Sequence, residues 1–300
     1  MLIKKETKAI ALGAFDGLHT AHMAVLQAAV RQKDCGLAPA VLLFDQHPQQ
    51  ALTGKAPPRL LTDEDRDARL RGLGLEILCA SFGEIKDMPP RVFFGEVLLG
   101  RFGAGALCCG YDYRFGAGAQ GDTQALQTLC GEHGVLLQTT PEIDYRGAPV
   151  SSTRIRQALR GGSLEDANAM LGRPFGYVFP VEEGEHIGRT LGSPTLNQTF
   201  PGGFAVPRHG VYASQARVEG AWWPSVTNIG VRPTIHNSAE GDCSPQARSE
   251  THIPGFAGDL YGQRVAVRLL RFLRPEMRFG SIEQLKAQIV IDTQTAQKEG

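Results

Sequence analysis

From residue 9 to residue 139, short apolar runs alternate with longer stretches of helical periodicity, and that alternation is the pattern of a parallel sheet flanked by helices. The runs at 9–12, 40–44, 75–79, 106–109 and 135–139 predict strands, and the stretches at 21–32, 63–73, 90–99 and 122–133 predict the helices between them. The strands are apolar almost without interruption, which suits a sheet buried on both faces. The first half is therefore α/β. A helix-rich piece over 152–171 follows and meets Gly172, where a glycine just past the last helical residue is the expected stop.

From Gly176 the texture changes. Gly, Pro, Ser and Thr become frequent, and shorter runs at 177–181, 210–216, 221–229 and 263–272 predict an antiparallel barrel or sandwich. The boundary falls at 172–174, giving domains over 1–173 and 174–300. Near the end Ser281 and Gln284 read as a capping box, and Ile282, Leu285 and Ile289 form one apolar stripe, so a C-terminal helix is expected to pack on the barrel. The polar stretch 237–249 is expected to be the most mobile loop.

Composition excludes several classes of function. Lys plus Arg and Asp plus Glu are both 31 in 300 residues, so no global field pulls the chain onto nucleic acid or anionic lipid. At 42% hydrophobic residues the chain has ample material for a core. No run approaches the roughly 20 apolar residues that cross a bilayer, and the short apolar run 9–15 leads into Asp16 rather than a cleavage site. A soluble, cytoplasmic protein is expected, without membrane or nucleic-acid partners. The six cysteines form no CxxC or Cys/His zinc spacing and read as reduced, small hydrophobes.

The chemistry gathers where strands end. The first strand runs into Gly13-Ala-Phe15-Asp16-Gly17-Leu-His19-Thr-Ala-His22 and then a helix. Two glycines let the backbone approach a ligand, and a helix N-terminus offers free N–H groups to phosphate. His19 and His22, three apart, present two imidazoles at the mouth of the first strand, able to stabilise charge on a reacting phosphate. A turn with two solvated histidines is the plain alternative; a zinc site is weaker, lacking a third ligand. Three further segments follow other strands: Phe44-Asp-Gln-His47-Pro48, Gly110-Tyr-Asp112-Tyr-Arg-Phe115-Gly116, and Ser151-Ser152-Thr153-Arg154-Ile-Arg156. Ser152 and Thr153 are ordinary N-caps, but two arginines at a helix start oppose the helix dipole unless an anion sits there.

In order and spacing these segments resemble the adenylyltransferase module of the bacterial bifunctional riboflavin kinase/FMN adenylyltransferase family. The second half is similar to that family's flavokinase module, through Gly188-Arg189-Thr-Leu-Gly192-Ser-Pro194-Thr195-Leu-Asn197, Gly210-Val-Tyr212, Asn228-Ile-Gly230-Val-Arg232-Pro233-Thr234, Glu250, Asp259-Leu-Tyr261-Gly262 and Phe272-Leu-Arg274. The resemblance implies a Rossmann-like nucleotidylyltransferase domain followed by a flavokinase-like β-barrel. It implies two reactions with ATP and Mg²⁺: riboflavin to FMN, then FMN to FAD. It gives phosphate binding to His19 and His22, shaping of the nucleotide loop to Gly13, Phe15, Asp16 and Gly17, and a second phosphate clamp to Ser152, Thr153 and Arg156. Asp112 and Phe115 would border adenine and flavin. In the kinase module Thr195 and Asn197 would engage Mg²⁺ and phosphates, Glu250 would take the ribityl proton, and Gly184, Arg189 and Arg274 would contact nucleotide or flavin.

The chain also departs from the family pattern. Ala21 stands for a usual Gly, Ala14 for Asn or Thr, Gln46 for Pro, Ser193 for Phe and Leu196 for Ala. Counting back from Gly184, Phe179 takes the place of the first Gly in the kinase phosphate loop. Either Phe179 obstructs nucleotide binding, or it is a core strand residue and the alignment is slipped. The alternatives to a bifunctional enzyme are an adenylyltransferase with an impaired kinase and a non-catalytic flavin- or nucleotide-binding regulator.

Overall fold

A computed structural model describes residues 7–183, 195–231 and 246–297. The chain divides into two compact units, Met1–Ser152 and Thr153–Gly300. In sequence the boundary reads at 172–174; in the structure the helical piece 152–171 belongs, from Thr153 on, to the second unit.

The first unit is a five-stranded sheet in the order β3-β2-β1-β4-β5, built from β1 (Lys8–Leu12), β2 (Ala38–Phe44), β3 (Glu76–Ala80), β4 (Ala104–Gly110) and β5 (Leu136–Thr140). Every pairing is parallel. Helices α1 (Thr20–Arg31), α2 (Pro48–Thr53), α3 (Asp63–Gly72), α4 (Phe82–Ile85), α5 (Pro90–Val92) and α6 (Thr123–His133) connect the strands. The stretch after α5, Phe93–Arg101, winds as a π-helix. Both faces of the sheet are buried, as the unbroken apolar runs require: along β4, Leu107 and Cys109 enter one core cluster and Cys108 the other. A two-stranded ribbon, β6 (Asp144–Tyr145) with β7 (Ala148–Pro149), closes the unit.

The second unit starts with two helices. They are α7 (Ser152–Gly161), whose first residue still belongs to the first unit, and α8 (Leu164–Leu171), which ends on Gly172 in the left-handed region as the sequence predicts. Six antiparallel strands follow in the order β8-β13-β10-β11-β12-β9. They are β8 (Phe175–Pro180), β9 (Thr195–Thr199), β10 (Gly210–Val218), β11 (Ala221–Val231), β12 (Ala247–His252) and β13 (Arg264–Arg274). The sheet curls until its edges meet at a bridge between Glu182 and Asn197. Two of these strands, β9 and β12, have no counterpart in the sequence reading, and β12 takes up 247–249 of the stretch expected to be loop; residues 237–245 lie outside the described residues. Helix α9 (Ile282–Gln297) is capped as expected, Gln284 N–H donating to Ser281 Oγ and Gly280 N–H to Gln284 Oε1. It lays Ala296 against Val211, Ala213 and Val226 of β10 and β11. The side chains of Ile282 and Leu285, two of the three in the expected stripe, lie outside the described residues.

Candidate active sites

In the first unit the turn from β1 into α1 concentrates strain. Phe15 (φ 51°) and Leu18 (φ 45°) share the left-handed region with Gly17 (φ 82°), a conformation that non-glycine residues hold only when their surroundings impose it. Asp16 does so: its Oδ1 accepts from Leu60 N–H at 3.0 Å, and its carbonyl accepts from Ser152 Oγ at 2.9 Å. Gly17 is needed for space as well as for φ, since a Cβ there would lie 2.7 Å from Leu60 Cδ1.

The turn delivers His19 as the cap of α1. Its Nδ1 accepts from His22 N–H at 3.3 Å, and the two imidazoles stack with centroids 3.6 Å apart and planes 16° from parallel. Accepting at Nδ1 places the proton of neutral His19 on Nε2. Burial, and next the neighbouring His19, hold the His22 pKa well below 6.5, so His22 is neutral at pH 7. Its Nδ1 is buried and has no hydrogen-bond partner among the described residues.

These rings line a cleft of about 730 Å³ at the carboxyl ends of β1 and β4, the switch point of the sheet where open α/β folds take their ligands. Gly13, Phe15, Asp112, Phe115 and Ser152, singled out from sequence, line the same cleft. Phe115 is also a core residue, 5% exposed and stacked on Tyr113. Phe44 and Tyr111, which lie in the quoted strand-end segments without being singled out, and Phe82 and Phe93, which the sequence reading missed, give the cleft its aromatic walls. The sequence reading also missed Glu142, whose hydrogen bond pushes the Tyr111 phenol up to about 12. Aromatic residues after strand ends were the available signal. Thr153 is exposed and Arg156 is 8% exposed, both in the first two turns of α7.

In the second unit the strand pairing brings the other candidates together. Glu250 on β12 stands in register with Asn197 on β9 and with Asn228 on β11. Thr195 is two residues from Asn197 on the same face, and Asn197 Nδ2 donates to the Thr195 carbonyl at 3.4 Å. Glu276 accepts from Asn228 Nδ2 at 3.3 Å, and Thr199 donates to Glu182 at 2.7 Å. Asn228, Glu276 and Glu182 were not singled out as site residues: the sheet register sets Asn228 opposite Glu250, and Glu276 and Glu182 join through Asn228 and Asn197 respectively. Arg274 forms a bidentate pair with the buried Asp292 of α9, its NH2 at 2.7 Å. Gly184, Arg189 and Ser193 lie outside the described residues.

Phe179 settles between its two readings. It lies in β8 in register with Val265, is 3% exposed, and packs among Tyr177, Phe200 and Phe204. It is a core residue of the curled sheet and not part of a nucleotide loop. Leu196, another departure, is likewise buried, on β9.

Comparison with known proteins bears on both units. The FAD synthetase family matches residues 2–154 and the riboflavin kinase family residues 171–299. Among curated proteins the chain is 34% identical over 289 residues to a bifunctional riboflavin kinase/FMN adenylyltransferase of Pseudomonas fluorescens, covering 95% of this chain and 90% of that protein. The chain belongs to the bifunctional riboflavin kinase/FMN adenylyltransferase family. A member from Escherichia coli K12 is 34% identical over 96% of this chain and 91% of its own length, and one from Bacillus subtilis 33% over 98% and 94%. A solved structure described as a macrolide-efflux protein from Streptococcus pneumoniae superposes with a TM-score of 0.86 at 26% identity, covering 97% of this chain and 94% of that one. Among the described residues here no helix is long and apolar enough to cross a membrane. Like its family, the chain is an enzyme that carries both modules of flavin-cofactor synthesis.

Proposed function

We propose that this enzyme phosphorylates riboflavin with ATP to give FMN, and then transfers the adenylyl group of a second ATP to FMN, releasing pyrophosphate and forming FAD. The observation that carries the reading is that both residue sets survive in one chain: the stacked His19/His22 pair at the switch-point cleft, and Glu250 aligned with Asn197 and Asn228.

In the adenylyl half a phosphate oxygen of FMN attacks the α-phosphorus of ATP, and the bond to the pyrophosphate oxygen breaks. His19 and His22 can donate N–H groups to the phosphate oxygens on which charge accumulates, which is transition-state stabilisation without nucleophilic attack. Gly13, Phe15, Asp16 and Gly17 hold the turn that presents them. The aromatic walls suit flat rings; in this reading Asp112 and Phe115 border flavin and adenine, and Ser152, Thr153 and Arg156 form a second phosphate clamp.

In the kinase half Glu250 takes the proton of the ribityl 5′-hydroxyl as that hydroxyl's oxygen attacks the γ-phosphorus of ATP, and the bond to the β–γ bridging oxygen breaks to release ADP. Mg²⁺ prefers oxygen donors and keeps waters and substrate phosphates in its shell. The neutral oxygens of Thr195 and Asn197, on one face of β9, fit such a partly filled shell, and no group of three His, Cys, Asp or Glu able to hold a metal occurs among the described residues. Bound there, Mg²⁺ would neutralise phosphate charge. In this reading, as the motif resemblance implies, Gly184, Arg189 and Arg274 contact nucleotide or flavin.

With Phe179 in the core, the argument for an impaired kinase loses its main support, with Ser193 outside the described residues, and the full bifunctional reading is preferred. Incubation with riboflavin, ATP and Mg²⁺, followed by chromatographic separation of the flavins, tests it: FMN and then FAD should both accumulate. FAD formed from added FMN but never from riboflavin would return the reading to an adenylyltransferase with a silent kinase.

A further inference from the structure

Inside the curled sheet of the second unit, where a small barrel is ordinarily filled with branched apolar side chains, a line of hydroxyls crosses three strands. Ser214 on β10 bonds both Ser225 and Thr227 on β11 at 2.8 Å, and Thr227 in turn bonds Thr251 on β12 at 2.8 Å. None of the four is more than 2% exposed. Beside the end of the line Ser249 donates to the Gln198 carbonyl of β9, and the Gln198 amide donates to the carbonyls of Phe179 and Val265. The Tyr177 hydroxyl is buried close to Ser249 and Thr251, without a bond of ordinary geometry.

Buried hydroxyls are costly unless paired, so a line of this length demands a reason. The register supplies one. Thr227 stands directly opposite Thr251 on the inner face, and the next pair along, Asn228 opposite Glu250, points to the outer face. A slip of one residue would turn Glu250 inward. The strand that carries Glu250 has only six residues and no apolar side chain beyond Ala247 to select its register by burial. The hydroxyl bond between Thr227 and Thr251 selects the register instead.

We infer that Thr227 and Thr251 are positioning residues for riboflavin phosphorylation: their buried hydroxyl pair fixes β12 so that Glu250 faces the reacting hydroxyl between Asn197 and Asn228. The inference rests on the proposed role of Glu250 as base. It is a claim about alignment, so its mark is a loss of turnover out of proportion to any loss of folding or binding.

The test uses the full chain. Thr227→Val keeps the shape and removes the hydroxyl; Thr227→Ser restores it. Thr227→Val should lower kcat for riboflavin phosphorylation about tenfold, with KM for riboflavin and ATP within twofold, a modest drop in thermal midpoint because Thr251 loses its partner, and FMN adenylylation by the same preparation unchanged. Thr227→Ser should recover most of the turnover. Ser214→Ala, at the far end of the line, should leave kcat near its starting value. Glu250→Gln runs in parallel. If it leaves phosphorylation intact, the base reading fails and this inference with it; if it abolishes phosphorylation while Thr227→Val has full kcat, the positioning inference alone is overturned. A kcat loss that tracks the fraction unfolded, or one that Ser does not recover, also overturns it. Should Thr227→Val fail to fold, Thr251→Val against Thr251→Ser puts the same question with the same outcomes.

Discussion

In the proposed adenylyl site His22 is the residue to test, because it is held neutral by burial, stacked on His19 and carries a buried Nδ1 without a partner among the described residues. Removing one pre-aimed donor from a transition state costs about 10² to 10³ in rate. His22→Ala should therefore cut FAD formation from FMN by that factor and leave riboflavin phosphorylation alone, as paired assays on one preparation would reveal; loss of both activities would mean misfolding instead. Its depressed pKa also has a sign for stability. Below pH 6.5 the unfolded chain takes up a proton at this position that the folded protein resists, so stability falls as the pH drops through that range. His252, also depressed by burial, adds in the same direction. Thermal midpoints from pH 7.5 to 5.5 should decline, and less steeply in His22→Ala. Phe179 shows how far a motif can mislead at this scale. Counting from one glycine places it in a phosphate loop, whereas its alternation with Tyr177 in β8 places it among three other buried aromatics, Tyr177, Phe200 and Phe204. Phe179→Gly should accordingly not raise kinase turnover: emptying that position costs about 3–5 kcal/mol or more, and chemical denaturation should read the loss.

At the scale of elements, the first unit was legible almost throughout. Its central strands β1, β2 and β4 are apolar on both faces, and its helices carry caps such as Thr62 and Asp122, so period and punctuation agree. The turn after β1 was legible as a ligand-binding element, but its strain was not: no rule of sequence puts Phe15 and Leu18 at positive φ, and it takes Asp16 holding Leu60 and Ser152 to impose it. Two glycines separate conformation from position. Gly17 and Gly36 both have positive φ, at 82° and 77°, but a Cβ on Gly17 meets Leu60 and one on Gly36 meets nothing within 4 Å. Alanine at either costs about 1–2 kcal/mol of backbone strain. Only Gly17→Ala, which forces the turn away from Leu60, should depress FAD synthesis several-fold per folded molecule; Gly36→Ala should lose stability alone, by calorimetry and assay together. The strands missed from sequence, β9 and β12, read TLNQT and ARSETH. Their inward positions are Leu196, Gln198, Ser249 and Thr251, with a single apolar side chain among them, so the apolar alternation that betrays a half-buried strand is too weak to read. These two strands carry Thr195, Asn197 and Glu250, and the polar interior that hides them from sequence is the one that sets their register.

At the scale of the whole molecule, the question is where the chain can be cut. Gly172 ends a helix, and a helix stop resembles a domain boundary in sequence. The packing argues otherwise. Leu164, Ala167, Met170 and Leu171 of α8 are all buried, and Asn168 ties the helix to the sheet twice, its Oδ1 accepting from Phe175 N–H at 2.7 Å and its Nδ2 donating to the Leu269 carbonyl at 3.0 Å. The family matches leave 155–170 assigned to neither module, but physically α8 is a wall of the second unit. A cut after residue 173 strips that wall from the β unit and leaves a helix with an unburied apolar face hanging from the first. A cut between Ser152 and Thr153 keeps each core whole and retains the Ser152 bond to Asp16. Fragments 1–152 and 153–300 should therefore each melt cooperatively and stay monodisperse. Fragment 174–300 should melt several degrees lower than 153–300, since losing four buried apolar side chains removes on the order of 1.5–3 kcal/mol apiece for the larger ones. Fragment 1–173 should bind a hydrophobic dye or self-associate where 1–152 does not. Equal melting temperatures for 153–300 and 174–300 would show that α8 adds nothing to the second core, and would return the boundary to the glycine.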